Sequence, residues 1–312
     1  MWGALTWVCR RHIAFVDSEG RILAVLAGHP HGDDDGWDKT RRGAYAALDA
    51  ARSQLEFQGD GKDRRRGKFP SIHTGISYGR GHTEPKELNL GKNKEVVYCL
   101  KRNCHVRRII GFGSSVVALN SPKLYRKYEH MVDRLLEHHE GLSLPHDNSI
   151  FATTTFNFGP HATTKAHVDS ANLAHGWCTI TPLGEFDHKR GGHLVLWQMG
   201  VIIEFPSGST AAIPSGSVPH GNTDIQDGET RACITQYTSG ALFRYVEYGF
   251  RSQKAFEKED AKGFAEVYSQ RSQRATDAMG LFSHLSALEA DVREVFGLGP
   301  SDAEKGGHQQ IG

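Results

Sequence analysis

The sequence predicts an α+β fold, a double-stranded β-helix (jelly-roll) core with flanking N- and C-terminal helices. Three observations carry this. Between residues 150 and 250 the chain runs through short strand-like stretches, FATTTFNF, WCTITPLG, HLVLW, VIIEF, STAAIP and TRACITQYTSG, divided by glycine- and proline-bearing turns at roughly ten-residue intervals. Before them, two segments place apolar residues at helical spacing, and residues 252–297 do so after them. With 312 residues the chain can bury such a core as one large domain with elaborations or as two small ones.

The elements follow in order. RHIAFVDSEGRILAVLAG alternates and breaks at Ser18, Glu19 and Gly20, which predicts a hairpin. Residues 29–38, HPHGDDDGWD, read as a polar loop. TRRGAYAALDAARSQLEF then puts Tyr45, Leu48, Ala51 and Leu55 on one helical face. Residues 57–68, FQGDGKDRRRGK, lack apolar content and read as a surface linker; its Arg64, Arg65 and Arg66 form a solvated charge run suited to phosphate and to a weak nuclear address. SIHTGISYGRGHTEP is glycine-rich with no helix behind its GxG, so a lid or substrate loop is expected there rather than a nucleotide loop. The strongest helix signal is SPKLYRKYEHMVDRLLEHHEG. Ser121 stands as N-cap, Pro122 at the first turn, Leu124, Tyr128, Val132 and Leu135 on one stripe, and Gly141 as terminator. The last helical pattern carries Leu285, Leu288, Val292 and Val295 before Gly297. The expected division is a hairpin and helix with a basic linker at 1–68, packed on a core at 69–250, a helical extension at 251–299 and a frayed tail at 300–312.

Composition narrows the function. Lys plus Arg number 37 against 36 for Asp plus Glu, a formal charge of +1, so any polyanion contact must be local. Five cysteines at irregular spacing make a poor disulfide framework and fit a reducing compartment. The apolar run before Arg10 is too short for a signal peptide and no run reaches membrane-spanning length, which predicts an intracellular protein. With 18 histidines, only histidines with spaced partners carry weight.

KAHVDSANLAHGW, residues 165–177, supplies such spacing. In extended chain His167 and Asp169 leave the same face and can grip one ion. A third ligand must come from another strand at the same rim. His220 in SVPHGNT fits best, with His161, His188 and His193 as rivals. Two imidazoles and one carboxylate on one face of an octahedral ion leave three positions open, the arrangement of non-haem Fe(II) enzymes that activate O2. Arg231 lies eleven residues after His220 on a strand whose inward side presents Arg231, Cys233, Thr235 and Tyr237. A buried guanidinium needs an anion, and its planar fork suits a carboxylate such as the distal one of 2-oxoglutarate. Such a set argues against a purely binding module, which needs none of it.

The order HxD, Gly191-Gly192 before a strand, histidine, arginine resembles the Fe(II)/2-oxoglutarate dioxygenases. From Phe69 to Phe250 the chain more narrowly resembles the fungal (basidiomycete) TET/JBP-like family, related to the ten-eleven-translocation methylcytosine dioxygenases and the base-J-binding thymine hydroxylases. His167, Asp169 and Asn172 match its HxDxxN signature, and Arg231 and Tyr237 match its R-x-S-x-x-x-Y segment. The resemblance implies Fe(II) on His167, Asp169 and His220, with 2-oxoglutarate and O2 as co-substrates. It implies oxoglutarate held by Arg231 with Cys233 and Asn157 beside it. It further implies a methylated base of DNA, 5-methylcytosine or N6-methyladenine, met by Asn172, Tyr237 and Ser239, with Arg64, Arg65, Arg66, Lys101 and Arg102 near phosphate and a nuclear location. Two positions depart from the pattern: Cys233 replaces a serine, and Ser239 stands where methylcytosine enzymes place a histidine. A dioxygenase of the same fold acting on a protein side chain or small metabolite is the alternative.

Overall fold

A computed structural model describes residues 3–5, 12–57, 66–79 and 81–299. The chain begins with β1 (Gly3–Leu5), a hairpin of β2 (Ile13–Val16) and β3 (Ile22–Gly28), and α1 (Asp34–Arg52). There follow β4 (Ser71–Ser77), β5 (Lys86–Glu87), α2 (Lys94–Arg102), α3 (Cys104–Asn120) and α4 (Pro122–His138). The strand-rich half supplies β6 (Thr153–Asn157), β7 (Cys178–Leu183), β8 (Leu194–Leu196), β9 (Val201–Ile203), β10 (Thr210–Ile213), β11 (His220–Asn222) and β12 (Ala232–Tyr237). Helices α5 (Gly240–Glu247), α6 (Gln253–Glu259), α7 (Ala261–Ser269), α8 (Arg271–Met279) and α9 (Leu288–Phe296) close the chain.

Two sheets result, one of eight strands in the order β2-β3-β10-β7-β12-β6-β4-β5 and one of four in the order β1-β9-β8-β11. All pairings are antiparallel except β1 with β9. The N-terminal hairpin does not merely rest on the core: β3 is hydrogen-bonded to β10 and extends the large sheet.

Alternation along the strands sorts the side chains into two environments. Ala232 and Ile234 of β12 and Phe156 of β6 join Trp37, Leu48, Val97, Leu100, Ile109 and Ile110 in a core beneath the helices. Cys233 of the same β12 instead packs with Leu194, Leu196, Ile203, Leu26 and Ile213, where the two sheets meet. Strand β12 thus has one face on the helices and one towards the small sheet, as period-two geometry requires.

Several elements depart from expectation. The 29–38 loop is half helix, because Asp33 caps α1 by accepting from the Gly36 amide at 3.2 Å and Asp34 and Asp35 favour the positive helix end. The segment read as a glycine-rich lid contains β4, whose Ser71 and His73 pair with Asn157 and Thr155 on β6. Helix α3 was not legible: apolar residues surround it, and its two glycines dilute the pattern. Helix α4 bears out its stripe, with Leu124, Tyr128, Val132 and Leu135 all buried. Its Ser121 does not cap it, since the hydroxyl donates to the Leu281 carbonyl instead. The expected tail at 300–312 lies outside the described residues, within which no helix is long and apolar enough to cross a membrane.

Two histidines outside the helices are shielded from water, His146 fully and His175 in part. His146 is 2% exposed, and burial, with Lys101 and Arg107 nearby, pushes it down to about 4; burial likewise pushes His175 down to about 4. Both stay neutral in the folded chain at pH values where the unfolded chain protonates them. Their contribution is therefore full above about pH 6.5 and is lost as pH falls towards the folded values. Stability to urea is expected to drop on the order of 3 kcal/mol for His146 alone between pH 7 and 4. His146→Leu should flatten that slope in denaturation curves taken across this range.

Candidate metal and co-substrate site

The cavity between the sheets encloses about 960 Å3. Its walls carry His167, Asp169 and His220, whose ligand atoms all lie within 4.8 Å of one another. The backbone fixes this meeting. His167 and His220 exchange amide-to-carbonyl hydrogen bonds of 3.0 and 2.9 Å, which zips the 165–169 stretch to β11. The stretch is not a regular strand but a single bridge, and Gly221 makes it possible: a Cβ there would sit 2.8 Å from the Thr164 carbonyl. The Asp169 amide donates to the Ser215 carbonyl at 2.9 Å, and the Asn172 amide closes a turn onto the Asp169 carbonyl at 2.8 Å.

Both imidazoles are set in one tautomer by the same device. Nδ1 of His167 lies 2.8 Å from the Lys165 carbonyl, and Nδ1 of His220 lies 2.9 Å from the Val218 carbonyl. A carbonyl can only accept, so each Nδ1 carries hydrogen and each Nε2 keeps its lone pair. Those Nε2 atoms face Asp169, at 3.6 Å from Oδ1 for His167 and 3.8 Å from Oδ2 for His220. Burial pushes both imidazoles below the usual histidine range, which keeps the lone pairs available. Two freed imidazole nitrogens and a buried carboxylate fit a divalent first-row ion, and outer-shell carbonyls orient the rings as such sites require. The rivals His161, His188 and His193 take no part in the cluster.

Arg231, Cys233, Thr235 and Tyr237 all line the cavity, as alternation along β12 predicts. Arg231 is 1% exposed and donates from Nη1 to the Ala162 carbonyl, while its Nε and Nη2 are buried without partners. Two orphaned donors on a residue of the cavity wall fit a bidentate carboxylate. Asn157 is beside them, donating to Thr235 Oγ1 at 3.4 Å, and Cys233 is buried with its thiol pushed up by burial.

Asn172 donates from Nδ2 to Ser215 Oγ at 3.0 Å and lies 3.5 Å from Asp169 Oδ2, so it buttresses the ligand turn as well as facing the cavity. Ser239 lines the cavity but its hydroxyl is engaged, accepting from the Ala241 amide as N-cap of α5 and donating to the Ala171 carbonyl. The basic residues separate. Arg66 reaches Asp169, with Nη2 2.7 Å from Oδ1. Lys101 and Arg102 sit on α2 in the helical layer, away from the cavity, because α2 buries Val97 and Leu100 against the far face of the large sheet. Arg64 and Arg65 lie outside the described residues.

The sequence reading missed His73 and Thr155. His73 Nδ1 lies 2.7 Å from Thr155 Oγ1 and 3.2 Å from the Tyr237 hydroxyl, a polar cluster on the cavity wall. The alternation in SIHTGIS was the available signal.

Asp169→Ala or His220→Ala is expected to abolish stoichiometric Fe(II) binding, read by anaerobic calorimetric titration. Because both rings are held neutral, affinity in the unaltered chain should stay flat with pH down to about 6.5 and fall only below it.

No family model matches this sequence, and no curated protein matches it. Among solved structures, an oxidoreductase of the 2OG-Fe(II) oxygenase family from Burkholderia pseudomallei aligns at 15% identity over 67% of this chain and 93% of its own, with a TM-score of 0.34. NgTET1 in complex with 5mC DNA aligns at 12% identity over 77% of this chain and 83% of its own, with a TM-score of 0.51. At that identity the likeness is one of architecture, and it shows that this chain shares the fold of NgTET1.

Proposed function

We propose that this chain is a 2-oxoglutarate- and Fe(II)-dependent dioxygenase, built on a double-stranded β-helix, that oxidises a methyl group on a base of DNA. The observation that carries it is the Arg231 guanidinium, with two buried unpartnered nitrogens, opening on the same cavity as the His167, Asp169 and His220 ligand set. A metal site alone needs no such anion receptor. The shared fold with NgTET1, solved with 5mC DNA, supports the choice of substrate.

In this reading His167, Asp169 and His220 hold Fe(II), and Arg231 clamps the distal carboxylate of 2-oxoglutarate with Asn157 and Cys233 beside it. When bound, the iron with O2 and oxoglutarate supplies an oxidant that removes hydrogen from a methyl C–H, with succinate and CO2 released. The chain's own residues bind and orient. Ser215 holds the Asn172 amide at a fixed angle to the cavity, and Tyr237 and His73 present polar and aromatic edges to a base. A base in duplex DNA must leave the stack to reach them, at a few kcal/mol that stacking and hydrogen bonds offset. Both 5-methylcytosine, taken to 5-hydroxymethylcytosine and further, and N6-methyladenine, demethylated after hydroxylation, offer the required methyl group.

The test is purified chain with Fe(II), oxoglutarate and a panel of methylated oligonucleotides, read by succinate release and nucleoside mass spectrometry. An oxidised base above the unmodified control is the expected result. Succinate stimulated only by a protein or metabolite extract would favour the alternative substrate class. Arg231→Gln should raise the KM for oxoglutarate by about tenfold or more, the loss of a charge-assisted pair, whereas an unchanged KM would remove the anchor assignment.

A further inference from the structure

The charged groups on the cavity wall do not balance. Three guanidiniums, of Arg66, Arg231 and Arg244, face the cavity, and among the described residues Asp169 is its one carboxylate. A divalent ion and the dianionic co-substrate would cancel each other, leaving an excess of two positive charges on the wall. Arg231 is deep and suits the co-substrate. Arg66 and Arg244 are different: both reach solvent, Arg66 with 43% of its side chain exposed, and Arg244 as an exposed residue of α5.

Their placement is specific. Arg66 pairs with the ligand Asp169. Arg244 lies against the turn that carries Asn172, since a Cβ added to Gly240 would meet Arg244 Nη1 at 3.5 Å and the Asn172 carbonyl at 3.3 Å. Among the described residues no carboxylate pairs with Arg244. The two arginines are thus exposed cations that both border the ligand segment 167–172 of the cavity wall.

We infer that Arg244, together with Arg66, forms a phosphodiester clamp at the cavity mouth, so that the substrate is a nucleotide within a polynucleotide strand and not a free base or nucleoside. This rests on the nucleobase reading above and deepens it. A neutral nucleoside leaves this excess charge, and Arg244 in particular, without a counter-charge, whereas the phosphates flanking a target nucleotide meet it as the base enters. Arg107 and Arg108 do not substitute, because neither lines the cavity.

The test uses the full chain, loaded anaerobically with Fe(II) and oxoglutarate, and a fluorescent single-stranded oligonucleotide with or without one methylated base. Anisotropy titrations at several salt concentrations give the affinity and its salt slope. Arg244→Gln is expected to weaken binding of both oligonucleotides at least about fivefold and to reduce the slope by about 0.7, the value for one lost phosphate contact on a single strand. Arg244→Lys keeps the charge and should keep the slope, and Arg66→Gln, which also removes the pair with Asp169, should lower the affinity in the same direction. Unchanged affinity and slope in Arg244→Gln, or a free methylated nucleoside that competes as well as the oligonucleotide, overturns the clamp. Nucleoside analysis under air separates the two ideas. Oxidised base with an unaltered Arg244→Gln slope sinks the clamp and spares the enzyme reading; the slope change with no oxidised base in any arm does the reverse.

Discussion

The interaction on which the rest depends is the one that the Arg231 guanidinium lacks. It is a cation in a buried wall, holding one backbone carbonyl and lying 5.8 Å from the Phe186 ring centroid, with two donors left over. Burial pushes its pKa down from the arginine range. Burying an ion without a counter-ion costs several kcal/mol even after relaxation, so a chain that served only structure would replace it with an apolar side chain of similar volume. The packing around it must be firm enough to carry that cost and keep the donors aimed at the cavity.

The firmness comes from β12. One face of this strand is given to the helical layer, with Ala232 and Ile234 in the apolar core and Gln236 tied at three points: to Ser149 Oγ at 2.7 Å, the Ile110 carbonyl at 3.2 Å and Thr179 Oγ1 at 3.0 Å. A fully satisfied buried amide resists sliding, because any shift of register would leave several polar groups unpaired at once. The other face carries Arg231, Cys233, Thr235 and Tyr237. Register on the dry side therefore fixes the positions of the reactive side, and a slip of one residue would exchange the two sets.

Much of this was legible in the sequence because it rests on short spacings. The i, i+2 pair of His167 and Asp169, the alternation in RACITQY and the stripe of α4 are local patterns that burial then respects. His220 was legible through its distance from Arg231 and the strand before it. What was hidden arises from contacts between distant segments. The stretch around His167 is held to β11 by one reciprocal backbone pair and the absence of a Cβ at Gly221, neither of which has a periodic signature. His73 was lost because Gly75 and Gly79 made a strand look like a loop, and α3 because a helix enclosed on several sides shows little polar contrast. Arg66 was visible as a basic residue, but its reach to Asp169 depends on where the chain re-enters the sheet beside β4.

The order of groups along β12 also limits how reactants can be arranged. Arg231 and Tyr237 are six positions apart on one face, so about 20 Å separates their backbones, more than one small dicarboxylate can span. The ligand set is contributed by the 165–169 stretch and β11, not by β12, so it meets this row from across the cavity. In the proposed reading, a co-substrate anchored at Arg231 and reaching the metal would use the inner part of the row, which leaves Thr235, Tyr237 and the His73 and Thr155 cluster for a second molecule. That molecule must approach from the Tyr237 end, where Ser239 begins α5 and Arg244 follows on its second turn. In that reading the strand that would anchor one reactant by charge also sets the direction from which the other arrives.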